Sequence, residues 1–261
     1  MKVVLLAGGQ GTRMREETEF RPKPMVEVGG RPVLWHIMRT FAAHKVNQFV
    51  ICTGYKSEQI KDYFLSYQAR NSDFTLVLGD PPSIQYHGTH PEAGWQVTLA
   101  DTGPATMTGG RVKAVETYVS GETFLCTYGD GIADIDVSEL LAFHRSHGKV
   151  ATITAVQPTS RFGILELDQQ GGVVSFREKP QVDGWINVGY FVFEAGVFDY
   201  LGENSVLEEE PLMQLAGDGE LVAFKHRGFW QPMDTYREAQ ELNALWHEGV
   251  APWTSAWDQD T

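Results

Sequence analysis

Cysteine is scarce in this chain: Cys52 and Cys126 are the two among 261 residues. That count excludes a disulfide framework, and their separation matches no metal or redox spacing. Both sit in apolar runs, FVICTGY and TFLCTYGD, and read as buried strand thiols. Basic side chains are also in deficit, 21 Lys+Arg against 34 Asp+Glu, for a formal charge of −13. Such a surface excludes nucleic-acid binding through a broad basic face. A small anion remains possible, because a few convergent cations and backbone N–H groups can hold one. No apolar run approaches the ~18 residues of a membrane span. The N-terminal MKVVLLAGGQG is too short in its apolar part for a signal segment, and Gly8-Gly9 interrupts it. A cytoplasmic protein with no membrane partner is expected. What the chain does have is 42% hydrophobic and 21% charged residues, an ordinary globular mixture.

Strand and helix patterns alternate over the first half. Lys2–Ala7, Gln48–Thr53, Phe74–Leu78, Gln96–Ala100 and Thr123–Thr127 read as strands. Helical patterns cover Val33 to Phe41 after Pro32, then Ser57–Tyr67, Gly110–Val119 and Val137–His147, the last with Leu140, Leu141 and His144 inward. This alternation predicts an α/β fold with a parallel sheet covered on both faces. The second half changes to short strands at Lys149–Val156, Gly163–Asp168, Val173–Lys179 and Asn187–Glu194. A hairpin turn is expected at Gln170-Gly171-Gly172. Glu208–Ala216 and Thr235–Trp246 read as helices around a strand at Leu221–Lys225. Asp80–Gly94 reads as the longest irregular stretch. One domain over 1–261 is expected, with an α/β half to about residue 150 and a β-rich half from about 151 to 261.

The first strand runs into Gly8-Gly9-Gln10-Gly11-Thr12-Arg13. Glycines there let backbone N–H groups approach an anion, at the sheet end where α/β folds place ligands. The spacing is neither G-x-G-x-x-G, since Met14 stands where a third glycine would, nor a Walker loop. That disfavours a dinucleotide dehydrogenase. Downstream, Arg21-Pro22-Lys23-Pro24-Met25 holds Lys23 between two prolines, which predicts an extended backbone presenting a point charge.

LAGGQGTRM, RPKPM and VGGRPVLWHIM together resemble the sugar-1-phosphate nucleotidylyltransferases. GYK (54–56), DTGPATMTGGRVK (101–113), TYGDG (127–131), REKP (177–180), GFWQPMDT (228–235) and APW (251–253) extend the likeness to about residue 253. MTGGR with FWQPMDT is similar to the cytidylyl branch. The resemblance implies a Rossmann-like mixed, mostly parallel sheet flanked by helices, with a smaller sugar-binding lobe. It implies Mg²⁺ as cofactor, CTP and α-D-glucose 1-phosphate as substrates, and CDP-glucose and pyrophosphate as products, feeding deoxysugars of surface polysaccharides. A homo-oligomer, a hexamer in the family, is implied too, with MTGGR reaching a neighbouring subunit's site.

The chemistry needs phosphate cradling, charge neutralisation and in-line placement rather than a protein nucleophile. Asp130, between two glycines at a strand end, reads equally as a cation ligand or as a hairpin turn. Asp234 precedes Thr235-x-x-Glu238, a capping-box pattern that explains an acid there without any metal. By resemblance the metal falls on Asp130 and Asp234. The nucleotide falls on Leu6, Ala7, Gly8, Gly9, Gln10, Gly11, Thr12, Arg13, Lys23, Thr106, Arg111 and Gly129, with Arg13, Lys23 and Asp130 catalytic. Without it, Arg111 reads as a solvated helix residue. Sugar-phosphate contacts fall on Glu178, Lys179 and Asn187. Trp253 and Trp257 are expected to pack on the body or another subunit. His87 and His90 read as a solvated loop. A transferase using dTTP or UTP, or another sugar phosphate, is the alternative within the class; a catalytically silent sugar-nucleotide sensor is the alternative outside it.

Overall fold

The structure is a computed structural model. It describes residues 1–160 and 162–257, with side chains except at 13, 15 and 16. Its centre is a seven-stranded sheet. The strands are β1 Val3–Leu6, β2 Gln48–Thr53, β3 Gln96–Asp101, β4 Phe124–Tyr128, β5 Ala151–Val156, β6 Ile186–Phe193 and β7 Leu221–Lys225. Their order is β7-β5-β6-β4-β1-β2-β3. Strand β6 runs antiparallel to β4 and β5, and every other pairing is parallel.

Successive residues of a strand face opposite sides, so a strand covered on both faces must be apolar throughout. In β1, Val3 and Leu5 enter one buried cluster while Val4 and Leu6 enter the other. The first cluster is closed by α1 (Val33–Ala43), α4 (Val137–His147) and α6 (Tyr236–His247); α2 (Ser57–Leu65) adds Ile60. The second lies under α3 (Thr108–Ala114) and α5 (Glu210–Gly217), and holds both cysteines fully buried. Leu140, Leu141 and His144 of α4 are buried, as their spacing predicts. Among the described residues no helix is long and apolar enough to cross a membrane.

Both halves of the chain feed this one sheet. The β-rich part of the second half that stands apart is the hairpin Ile164–Leu167 with Val173–Arg177, turned through Gly171 at φ +86°. Three expectations need correction. The segment expected as a strand at Phe74–Leu78 is Asp73–Val77, and it pairs with Ser83–His87 in an exposed hairpin off the main sheet. Ser83–His87 falls inside the stretch expected to be irregular, because Pro81-Pro82 and the polar neighbours mask its alternation. The helix expected over Gly110–Val119 is two pieces, α3 and Glu116–Val119, broken at Val115.

The C-terminal segment is tied down by an aromatic cluster. Trp253 is fully buried and Trp257 packs beside Trp35. Trp253 Nε1–H donates to His36 Nδ1 at 3.2 Å, and His36 Nε2 meets Val28 O at 2.8 Å. An indole can only donate, so Nδ1 accepts and the proton sits on Nε2: a neutral imidazole with both nitrogens satisfied. Burial, partly opposed by the Val28 bond and reinforced by the Arg31 charge, pushes its pKa down to about 4. The unfolded histidine therefore takes up a proton below pH 6.5, while the folded one does not until about pH 4. Its contribution to stability is complete above pH 6.5 and is lost as pH falls through that window, by on the order of 3 kcal/mol. His36→Gln, which keeps one donor and one acceptor, should show a flatter fall in melting temperature between pH 7 and pH 4.5 than the unmodified chain.

Candidate active site

The glycine turn leaves the carboxyl end of β1 and is fastened from beneath. Arg111, 4% exposed, donates from Nη2 to Gly8 O at 3.0 Å. Its Nη1 donates to Thr102 Oγ1 at 2.6 Å and to Thr53 O at 3.2 Å. A Cβ on Gly8 would lie 2.0 Å from that guanidinium, so only glycine admits the clasp. Gly11 takes φ +62°, and Thr18 Oγ1 donates to its carbonyl at 3.1 Å. Arg111 is thus a buried buckle in this chain rather than a solvated residue. Burial, partly offset by nearby Cys52 and Asp101, lowers its pKa from the ordinary arginine value.

Lys23 does not have the extended backbone expected of it. Pro22 is extended, at φ −66° and ψ 147°, but Lys23–Met25 forms a 3₁₀ turn with Pro24 in its first residues. Proline is tolerated there because those N–H groups have no intrahelical partner. Pro24 seats against Gly129, where a Cβ would lie 3.0 Å from the proline ring and 3.2 Å from Leu6 O. The room at Gly129 is therefore filled by the segment that carries Lys23.

After β4 the chain turns through Asp130 into a short strand, Gly131–Ala133, which pairs antiparallel with Trp230–Pro232. Met233 N–H then donates to Asp130 O at 2.8 Å, bringing Asp234 beside Asp130. Thr235, not Asp234, caps α6 in a complete capping box. Glu238 Oε2 also accepts from the Asp234 and Thr235 N–H groups, each at 2.8 Å. The Asp234 carboxylate reaches Lys23 instead of capping the helix. Lys23 Nζ lies 2.6 Å from Asp130 Oδ2 and 2.6 Å from Asp234 Oδ1. The three side chains are 10%, 30% and 27% exposed. Burial alone would lower the lysine pKa, but the Asp130 charge and the bonds to both acids outweigh it and raise it.

These groups open on a cleft of about 740 Å³. Of the residues expected from the sequence, Leu6, Gly8, Gly9, Gln10, Thr106, Arg111, Asp130, Asn187 and Asp234 line it. A 270 Å³ recess shares Leu6, Gly9 and the two acids, and adds Ala7, Gly11, Thr12, Lys23 and Gly129. Glu178 and Lys179 line neither; they follow the exposed strand Val173–Arg177, with Lys179 at φ +43°. The Arg13 side chain lies outside the described residues. His87 bonds Thr75 and His90 bonds Glu92, away from the cleft.

Sequence reasoning missed Tyr128 and Thr108 in the cleft wall. Tyr128 lies on Gly189, at φ +82°, where a Cβ would meet its ring at 2.0 Å. Its hydroxyl donates to Glu208, which also accepts from Thr108 Oγ1 at 2.6 Å. An isolated glycine inside the strand INVGYFVF was the available signal of a close approach.

The two carboxylates offer oxygen donors only, partly open to the cleft. Among the described residues no group of three or more His, Cys, Asp or Glu could hold a metal. Such a pair suits a hard divalent cation whose remaining ligands come from a phosphate-bearing substrate and water. Arg111→Ala removes the guanidinium's bonds to Gly8 O, Thr53 O and Thr102 Oγ1, although Gly8 O keeps the Tyr55 N–H at 3.1 Å and Thr102 Oγ1 still donates to Thr53 O at 2.8 Å. Hydrogen bonds to a charged group contribute roughly 1.5–3 kcal/mol, so the ligand-free variant should melt below the unmodified chain in thermal denaturation.

Residues 2–232 match the family model described as "Nucleotidyl transferase". Glucose-1-phosphate cytidylyltransferase of Salmonella typhi is 51% identical over 256 residues, covering 97% of this chain and 98% of that protein. Probable glucose-1-phosphate cytidylyltransferase of Bacillus subtilis (strain 168) is 44% identical over 255 residues, covering 97% and 99%. Two solved structures share the fold at low identity. HddC from Yersinia pseudotuberculosis has a TM-score of 0.69 at 22% identity, covering 94% of this chain and 99% of that one. UDP-glucose pyrophosphorylase complexed with UDP-glucose has a TM-score of 0.66 at 14% identity, covering 95% and 98%. The chain belongs to the nucleotidyl transferase family.

Proposed function

We propose that the chain transfers the cytidylyl group of CTP to α-D-glucose 1-phosphate, forming CDP-glucose and pyrophosphate. The observation that carries the chemistry is the meeting of Lys23, Asp130 and Asp234 beside the glycine turn, at the carboxyl end of the sheet. The choice of CTP and glucose 1-phosphate follows the cytidylyltransferase relatives, which match this chain over nearly its whole length.

An oxygen of the sugar phosphate attacks the α-phosphorus in line, the bond to the β-phosphate breaks, and pyrophosphate leaves. The protein's part is placement and charge rather than covalent chemistry. Leu6 to Thr12 present backbone groups to the base and phosphates, with Thr106 on the cleft wall. Arg13 and Lys23 meet the triphosphate. Asp130 and Asp234 would hold Mg²⁺, which when bound would neutralise charge on the phosphates. Arg111 acts here through Gly8, by fixing the turn. Asn187 lines the cleft and meets the sugar phosphate there; Glu178 and Lys179 are assigned to the same substrate by the family resemblance alone. The hairpin that precedes them carries exposed Val174 and Phe176, a face for a second copy of the chain to cover in a homo-oligomer.

Pyrophosphate release with glucose 1-phosphate, measured in turn with CTP, UTP, dTTP, ATP and GTP, tests the reading. CTP should give the highest kcat/KM, above dTTP and both purine nucleotides. Equal or faster turnover with dTTP would move the protein to thymidylyl transfer. No release with any nucleotide would leave it a sugar-nucleotide binder.

A further inference from the structure

We infer that Lys23 stands in for the divalent cation in the ligand-free enzyme: its ammonium occupies the space between Asp130 and Asp234, excludes a metal, and vacates that space only for a triphosphate. The inference rests on the proposed metal role of the two acids.

Both carboxylates direct an oxygen at one point, where Nζ sits 2.6 Å from each. A magnesium-sized ion bonded to both would need oxygens at ~2.1 Å. Ammonium and metal therefore compete for one position. The competition is electrostatic as well as steric. The ammonium places a positive charge between the two carboxylates, where a metal cation would be repelled as well as crowded out. The acids are 30% and 27% exposed, so burial alone does not keep a metal from them.

The lysine also has somewhere to go. Its backbone is fixed by Pro22 and Pro24, but its flexible four-carbon stem lets Nζ swing without moving the turn. The neighbouring recess, bounded by Gly9, Gly11 and Thr12, is where phosphates would meet it. A bound triphosphate gives the ammonium a new anionic partner and gives the metal further oxygens. Metal and nucleotide should then bind with strong mutual cooperativity, and by linkage each raises the other's affinity by the same factor.

Mn²⁺ binding, read from the electron paramagnetic resonance of the free ion, tests this on intact protein with no turnover. Without nucleotide, Lys23→Met should bind Mn²⁺ at least tenfold more tightly than the unmodified chain, a gain of function from removing a cation. Lys23→Arg should remain as weak as the unmodified chain. Lys23→Gln is measured in parallel, so the comparison survives if the methionine variant unfolds. Adding CTP should raise Mn²⁺ binding at least tenfold beyond what the same CTP binds in a protein-free control, and Asp130→Asn should abolish that excess. If neither neutral variant tightens Mn²⁺ while the CTP-dependent rise is present and needs Asp130, the lysine is a phosphate ligand only and the inference is overturned. If the rise is absent or independent of Asp130, the metal role of the acids fails first.

Discussion

One ion cluster organises the rest of the site. A buried ammonium is tolerable only because Asp130 and Asp234 face it, and those acids lie 107 and 211 residues further along the chain. Desolvating charged groups is expensive unless geometry and hydrogen bonding are both good. The surrounding structure supplies that geometry. Pro24 seats on Gly129, the Gly131–Ala133 strand pairs with Trp230–Pro232, and Met233 bonds to Asp130. Each of these contacts joins the first half of the chain to a later segment. The cluster is therefore a closure of the fold as well as the proposed reaction centre.

Two glycines show how such a site is seated on a rigid sheet. Gly8 is small because a guanidinium lies where its side chain would be, and Gly189 because an aromatic ring does. In both cases the absent side chain lets a neighbour brace the cleft. Arg111 fixes the glycine turn through Gly8, and Tyr128, held through Glu208 to Thr108, lines the same cleft. Placement of this kind suits a reaction in which the protein contributes position and charge rather than a bond.

Much of this was legible in the sequence where a local rule and the global fold agree. The buried strand at Gln48–Thr53, the helix at Val137–His147 and the capping box at Thr235 follow directly from patterning. Asp234 is the instructive case. Its acid reads as a helix cap, yet Thr235 and Glu238 satisfy the helix terminus and the Asp234 carboxylate bonds Lys23. What the sequence hides is pairing between distant segments. Nothing near Arg111 announces that its partners are Gly8, Thr53 and Thr102. Nothing near Phe74 shows that its strand leaves the sheet to pair with Ser83–His87. The proline rule failed at Lys23 because a 3₁₀ turn accepts proline at its start.

On the proposed reading Asp130 and Asp234 serve a single charge centre, although they come from the middle and the C-terminal part of the chain. A double-mutant cycle in kcat at saturating CTP measures that most directly, using Asp130→Asn, Asp234→Asn and the double variant. Asparagine keeps size and capping ability but removes the charge. Each single variant should lose orders of magnitude in kcat, with a fall in melting temperature because Lys23 loses one of its two acids, and the double variant should lose hardly more kcat than the worse single one. Losses that multiply, or an Asp234→Asn enzyme as active as the unmodified chain, would contradict it.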